Sequence, residues 1–226
     1  MASGSPETLT PDFSRSGWAG RRMTERDLLE LIRAGERPGV EFKNPRARHD
    51  RSFPQVVRAI LGMANRRDGG VILIGVDDDG QAPGLSPQQV QSWQPDPVRQ
   101  AVAPFADPYV YLDVEIVTAA DAPLAGRSFA VLRVSEFDQV PVLCAKAAFD
   151  SGGAIALQQG ACYVRTNHMP ATSQVAEHSQ FREILDLATE KSVRTFLKRA
   201  AAIGLSGAMP PSDDDRFVAQ RARLNE

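Results

Sequence analysis

MANRRDGGVILIGVDDDG, residues 63 to 80, decides how the rest of the chain is read. VILIGV is apolar on both faces, so it predicts a strand buried between two layers rather than one with a wet side. Asp68-Gly69-Gly70 stops whatever helix precedes it, and DDDGQAPG forms a turn at the strand's far end. A central strand reached from a helix and left through an acidic turn is the seed of a layered α+β fold.

Upstream, Ser52 and Gln55 have capping-box spacing and open a helix through Arg66, with Pro54 accommodated in its first turn. Phe53, Val56, Val57, Ile60, Leu61 and Ala64 recur at helical spacing, with Arg51, Arg58 and Arg66 near the opposite side. Before that helix, VEFK alternates, so Val40 and Phe42 are expected to face the core while Glu41 and Lys43 share a polar front. Thr24 and Asp27 mark the start of a first helix bearing Leu28, Leu29, Leu31 and Ile32, closed by Gly35.

Downstream, Pro95 and Pro97 break SPQQVQSWQPDPVRQAV into at least two helical pieces. YVYLDVEIV, RSFAVLRV, PVLCAKA and ACYVRT read as strands, and a helix runs from Ser179 to Gly204. The expected architecture is α+β: a mixed β-sheet flanked by helices in one domain, residues 23–204 with a C-terminal helical segment. A disordered arm is expected over 1–22 and a flexible tail over 205–226.

With 226 residues, 42% apolar and 24% charged, the chain can bury one sizeable core. It has no signal-like run and nothing near the roughly 18 apolar residues of a spanning helix, so a soluble cytoplasmic protein without membrane contact is expected. Cys144 and Cys162 make no metal-ligand spacing with each other or with His49, His168 or His178, and read as reduced, buried thiols. The net charge of −2 excludes a polycation. Its distribution is uneven: from Lys43 to Arg67 the bases are Lys43, Arg46, Arg48, Arg51, Arg58, Arg66 and Arg67, against the single acid Asp50.

In their order, GERPGVEFK, the following helix, MANRRDGGVILIGVDDDG and the later ACYVRT resemble the Schlafen-type or AlbA_2 domain family over about residues 24–188. The resemblance implies metal-dependent endonucleolytic cleavage of structured RNA such as tRNA, in a setting such as stress or phage defence; some relatives only bind nucleic acid. It implies three carboxylates, which fall on Glu36, Glu41 and an aspartate of the 77–79 run, Asp77 by preference and Asp79 as the fallback.

Mg²⁺ or Mn²⁺ suits such a set, since hard cations take carboxylate oxygens and supply both charge neutralisation and an activated water. Lys43, about 6.6 Å along the strand from Glu41, is assigned electrostatic support of the reaction. Arg46, Arg48, Arg51, Arg58 and Arg165 are assigned to phosphate contacts, with a solvated helix face or, for Arg165, a structural ion pair as the plain alternatives. Trp18, Trp93 and Tyr111 are base-stacking candidates whose commoner fate is core packing. A homodimer is expected because vertebrate relatives pair two copies of the fold and this chain carries one.

Other chemistries are excluded by pattern. DDDG is no EF-hand loop, since its twelfth position is Gln88. No GxxxxGK[ST] is present, and Gly69-Gly70 precedes a strand rather than opening a helix. The chief rival is a noncatalytic nucleic-acid-binding or regulatory module, and a third reading is an interaction protein whose acids merely pair with Arg or Lys.

Overall fold

The computed structural model describes residues 22–150, 152–165 and 171–203. The chain divides into two compact units, Met1–Leu185 and Asp186–Glu226. The expected arm, Arg22 aside, and the expected tail lie outside the described residues.

Helix α1 (Glu25–Ala34) begins as the sequence dictates: Asp27 N–H donates to the Thr24 hydroxyl and Thr24 N–H donates to the Asp27 carboxylate. Arg37 and Val40 then exchange both backbone hydrogen bonds, at 2.8 and 3.2 Å, which folds the Pro-Gly link tightly into β1 (Val40–Lys43). Helix α2 (Phe53–Ala64) leads to β2 (Gly70–Ile74). Gly69 has φ +65°, and a Cβ there would lie 2.0 Å from the Val134 carbonyl oxygen, so only glycine makes this junction.

Two short helices follow, α3 (Pro87–Ser92) and α4 (Pro95–Val102), then a 3-10 turn at Ala103–Phe105. Strands β3 (Ala106–Asp107), β4 (Leu112–Thr118), β5 (Ser128–Val134), β6 (Leu143–Cys144), β7 (Ala148–Phe149), β8 (Ile155–Leu157), β9 (Tyr163–Arg165) and β10 (Thr172–Gln174) precede the last helix, α5 (His178–Ala202). The unit boundary falls inside α5, so the first unit contains every strand.

The main sheet has the order β1-β2-β5-β4. It is mixed: β1 runs parallel to β2, with Val40 opposite Val71, while β2–β5 and β5–β4 are antiparallel. The expected central strand is therefore central. Pairs β3–β6, β7–β8 and β9–β10 form three small sheets. Val71 and Leu73 join Val40, Phe129, Val131 and the α1 residues Leu28 and Leu31 in one cluster, while Ile72 and Ile74 alternate to the other face.

Helix α2 packs on β2 and β5 and also on β8, β9 and β10. It is thus covered on two sides, and from Val56 to Ala64 only Arg58 escapes full burial. A Cβ on Gly62 would meet Thr172 Cγ2 at 2.5 Å, so β10 lies directly against the helix.

Three local expectations change. Ser52 makes no side-chain cap; its N–H donates to Asp50 Oδ1 at 2.9 Å, and Phe53 N–H to the Asp50 carbonyl at 3.0 Å, so Asp50 organises the start of α2. The helix ends at Ala64, short of Arg66. Its Arg58 side is covered by the later strands rather than open to solvent. Among the described residues, no helix is long and apolar enough to cross a membrane.

Candidate functional site

Alternation along β1 places Glu41 and Lys43 on one face, as expected, but that face is covered. Glu41 is only 7% exposed, and its carboxylate is ion-paired with both the Lys43 ammonium and the Arg165 guanidinium from β9. Arg165 Nη2 also donates to the Val40 carbonyl at 2.9 Å, fastening β9 to the start of β1. Burial lowers the Arg165 pKa, and the charges of Glu41 and then Glu36 pull it back up. The exposed Glu36 accepts the Phe42 N–H at 2.7 Å.

The acidic turn after β2 is organised by its first residue. Asp77 Oδ1 accepts from the N–H groups of Asp79 at 3.1 Å and Gln81 at 2.7 Å, an Asx-type arrangement. Asp78 accepts from the Asn44 amide at 3.1 Å, which holds the turn against the end of β1. Asp79 is exposed.

A shared cation needs carboxylate oxygens free to converge on it. In this arrangement Glu41 is bound by two side-chain cations, Asp77 stitches its own turn, and Glu36 receives a backbone N–H. Among the described residues, no group of three His, Cys, Asp or Glu side chains is placed to hold a metal ion. Glu36, Glu41 and Asp77 thus do not fit Mg²⁺ or Mn²⁺ as arranged, and Lys43 faces Glu41 as a counter-ion.

The arginines assigned to phosphate separate into two groups. The Arg165 side chain has no exposed surface and serves the ion pair. Arg58 is half-buried, its guanidinium 5.4 Å from the centre of the Tyr163 ring. Arg46 and Arg51 are exposed, and Arg48 is half-buried, all on the loop joining β1 to α2.

That loop is held from beneath by α3 and the residue following it. The Trp93 indole N–H donates to the Arg46 carbonyl at 2.7 Å, Gln89 Nε2 to the Pro45 carbonyl at 2.7 Å, and Arg48 N–H to Ser92 Oγ at 2.9 Å. Arg48 Nε adds a bond to the Ser92 carbonyl at 3.0 Å. The loop's backbone is fixed while Arg46 and Arg51 project. Within it, Asp50 is held below the usual carboxylate range by its Ser52 hydrogen bonds and keeps its negative charge.

Gln89, Ser92 and Trp93 were not legible as loop supports, since nothing in a short Pro-flanked helix announces its partner; the indole, a donor needing an acceptor when buried, was the one available signal. Trp93 is 1% exposed and tilts against Phe53 at 6.2 Å, the packing fate expected for it. Tyr111 is 62% exposed and stands edge-on to Tyr109 at 5.6 Å. Trp18 lies outside the described residues. Cys144 and Cys162 are free thiols; burial raises both, Cys162 to about 11.

Comparison with known proteins gives a family match and distant structural likenesses. A model of the family described as "Schlafen, AlbA_2" matches residues 36–171, more than half of the chain. No curated protein matches. Among solved structures, the DIP2311 protein from Corynebacterium diphtheriae is 14% identical with a TM-score of 0.42. The match covers 69% of this chain and 30% of that one.

Proposed function

Since this chain belongs to the Schlafen AlbA_2 family, we propose that it binds nucleic acid through the loop between β1 and α2, without needing a carboxylate-bound metal. The observation that carries this reading is the braced loop: three hydrogen bonds with Gln89, Ser92 and Trp93 fix its backbone and a fourth holds the Arg48 side chain, while Arg46 and Arg51 reach solvent. Phosphate binding gains from cations held in place beforehand, because less conformational freedom is lost on association. Among the described residues, the one ion pair of Arg46 is a loose 4.0 Å approach to Asp50, and exchanging it for a phosphate costs little.

Fluorescence anisotropy with labelled oligonucleotides over a salt series tests the proposal. Arg46→Gln and Arg51→Gln should each weaken binding across sequences and flatten the dependence of log K on log salt by about one phosphate's share. Unchanged affinity and slope in both would overturn the assignment of this loop.

Cleavage of structured RNA such as tRNA is the finer reading, favoured by the Glu36, Glu41 and Lys43 spacing and by the Asn44–Asp78 bond that brings the acidic turn to the end of β1. The ion pairs of Glu41 stand against it. Glu36→Gln keeps an acceptor for Phe42 N–H and removes only the charge, so it separates the two readings. Wild-type cutting of tRNA with Mn²⁺ that Glu36→Gln abolishes would establish cleavage; absence of cutting alongside salt-sensitive binding supports the binding module.

A further inference from the structure

Three phenylalanines from separate segments line one hollow beside the braced loop: Phe53 at the start of α2, Phe105 after α4 and Phe149 in β7. With Arg48, His49 and Arg51 they line an open hollow of about 400 Å³. This is toward the small end of the roughly 300–1,000 Å³ typical of ligand pockets. Phe149 is 61% exposed, although it is one of the larger apolar side chains of the unit. An aromatic ring left in water on the wall of a hollow that two others also line is a surface awaiting a planar partner.

The charges around the rings favour an anionic partner. Arg48 lies 5.8 Å from the Phe53 ring centre and Lys146 lies 5.9 Å from that of Phe105. Among the described residues, the Arg51 side chain makes no ion pair or hydrogen bond. Two acids also line the cavity, but both engage backbone: Asp150 Oδ1 accepts from Gly152 and Ala154 N–H groups, and Asp50 Oδ1 from Ser52 N–H. Rings flanked by available cations match a base flanked by phosphates.

We infer that this cavity seats an unpaired base of a single-stranded nucleic acid, stacked on Phe149, with the adjoining phosphates on Arg51 and Lys146. The inference rests on the nucleic-acid reading above and adds its preferred form. A duplex keeps its base faces stacked on one another and cannot offer one to Phe149, whereas a single strand can. Stacking on any base makes the site tolerant of sequence.

The test compares three labelled probes by anisotropy: an oligothymidylate, an abasic deoxyribose-phosphate chain of the same length, and a duplex. Wild type should bind the oligothymidylate about tenfold more tightly than the abasic chain. Phe149→Ala, at an exposed position, should lose that advantage, keep the wild-type affinity for the abasic chain, and melt as the wild type does; Phe149→Trp should restore it. Equal binding of base-bearing and abasic probes, or an unaltered Phe149→Ala, would overturn the stacking site while leaving phosphate binding intact. No binding to any probe at low salt would overturn both readings.

Discussion

Arg165→Met isolates the buried charge cluster beneath β1. The substitution removes a guanidinium with no exposed surface, leaves Glu41 at 7% exposure with Lys43 alone, and deprives the Val40 carbonyl of its 2.9 Å donor. Breaking a buried pair by removing one partner costs about 3–5 kcal/mol. The Lys43 ammonium still faces Glu41, and its side chain is 29% exposed, so the lower end, about 3 kcal/mol, is expected. For a protein of this size that is a fall in Tm of roughly 6–12 °C. Thermal and urea melts followed by far-ultraviolet circular dichroism read it directly. The double variant Glu41→Gln with Arg165→Met should be less damaged than the two single losses added together, because the second change relieves the orphaned charge left by the first. Strict additivity, or a loss below about 1 kcal/mol in Arg165→Met, would refute the view that this ion pair is a structural clamp.

Gly62→Ala should destabilise by about 1–3 kcal/mol in urea titration despite alanine's better helix propensity, because the new methyl would strike Thr172 at 2.5 Å. Trp93→Phe removes the indole donor to the Arg46 carbonyl; about 1 kcal/mol of stability should go with it, and oligonucleotide affinity should fall several-fold as the loop loosens. In a Cys144→Ser background, native alkylation of Cys162 should rise toward about 11, while the denatured chain titrates near 9.0. A folded value above the unfolded one means that the neutral thiol's contribution to stability is present below 9.0 and is lost as pH climbs toward 11, which a series of melts across that interval checks.

The central sheet was legible because burial on both faces leaves a mark within a few residues: VILIGV lacks polar alternation. The first helix was legible for a similar reason, since Thr24 and Asp27 cap it locally. What covers a face is not local. Alternation put Glu41 and Lys43 on one side of β1, yet the arginine that closes that side comes 124 residues later. The same layer half-covers Arg58, so a basic window in the sequence overstated the cations fully open to a ligand. Strands β7, β8 and β10, of two or three residues each, are too short for a period to show. The capping box at Ser52 failed because Asp50, two residues earlier, took the serine's N–H. The phenylalanine cavity draws on three segments spanning residues 53 to 149, beyond the reach of any local pattern.

β1 is one of the two edge strands of the main sheet, and three backbone groups on its rim are engaged. Val40 has both backbone groups tied to Arg37, its carbonyl is also claimed by Arg165, and the Phe42 N–H is taken by Glu36. A foreign strand sliding alongside would find these three groups occupied, which protects this edge of the sheet from edge-to-edge aggregation. Glu36 has a use here that needs no ligand: it is a stopper. Recruitment of peptides or of sister molecules by strand addition must begin elsewhere on the surface.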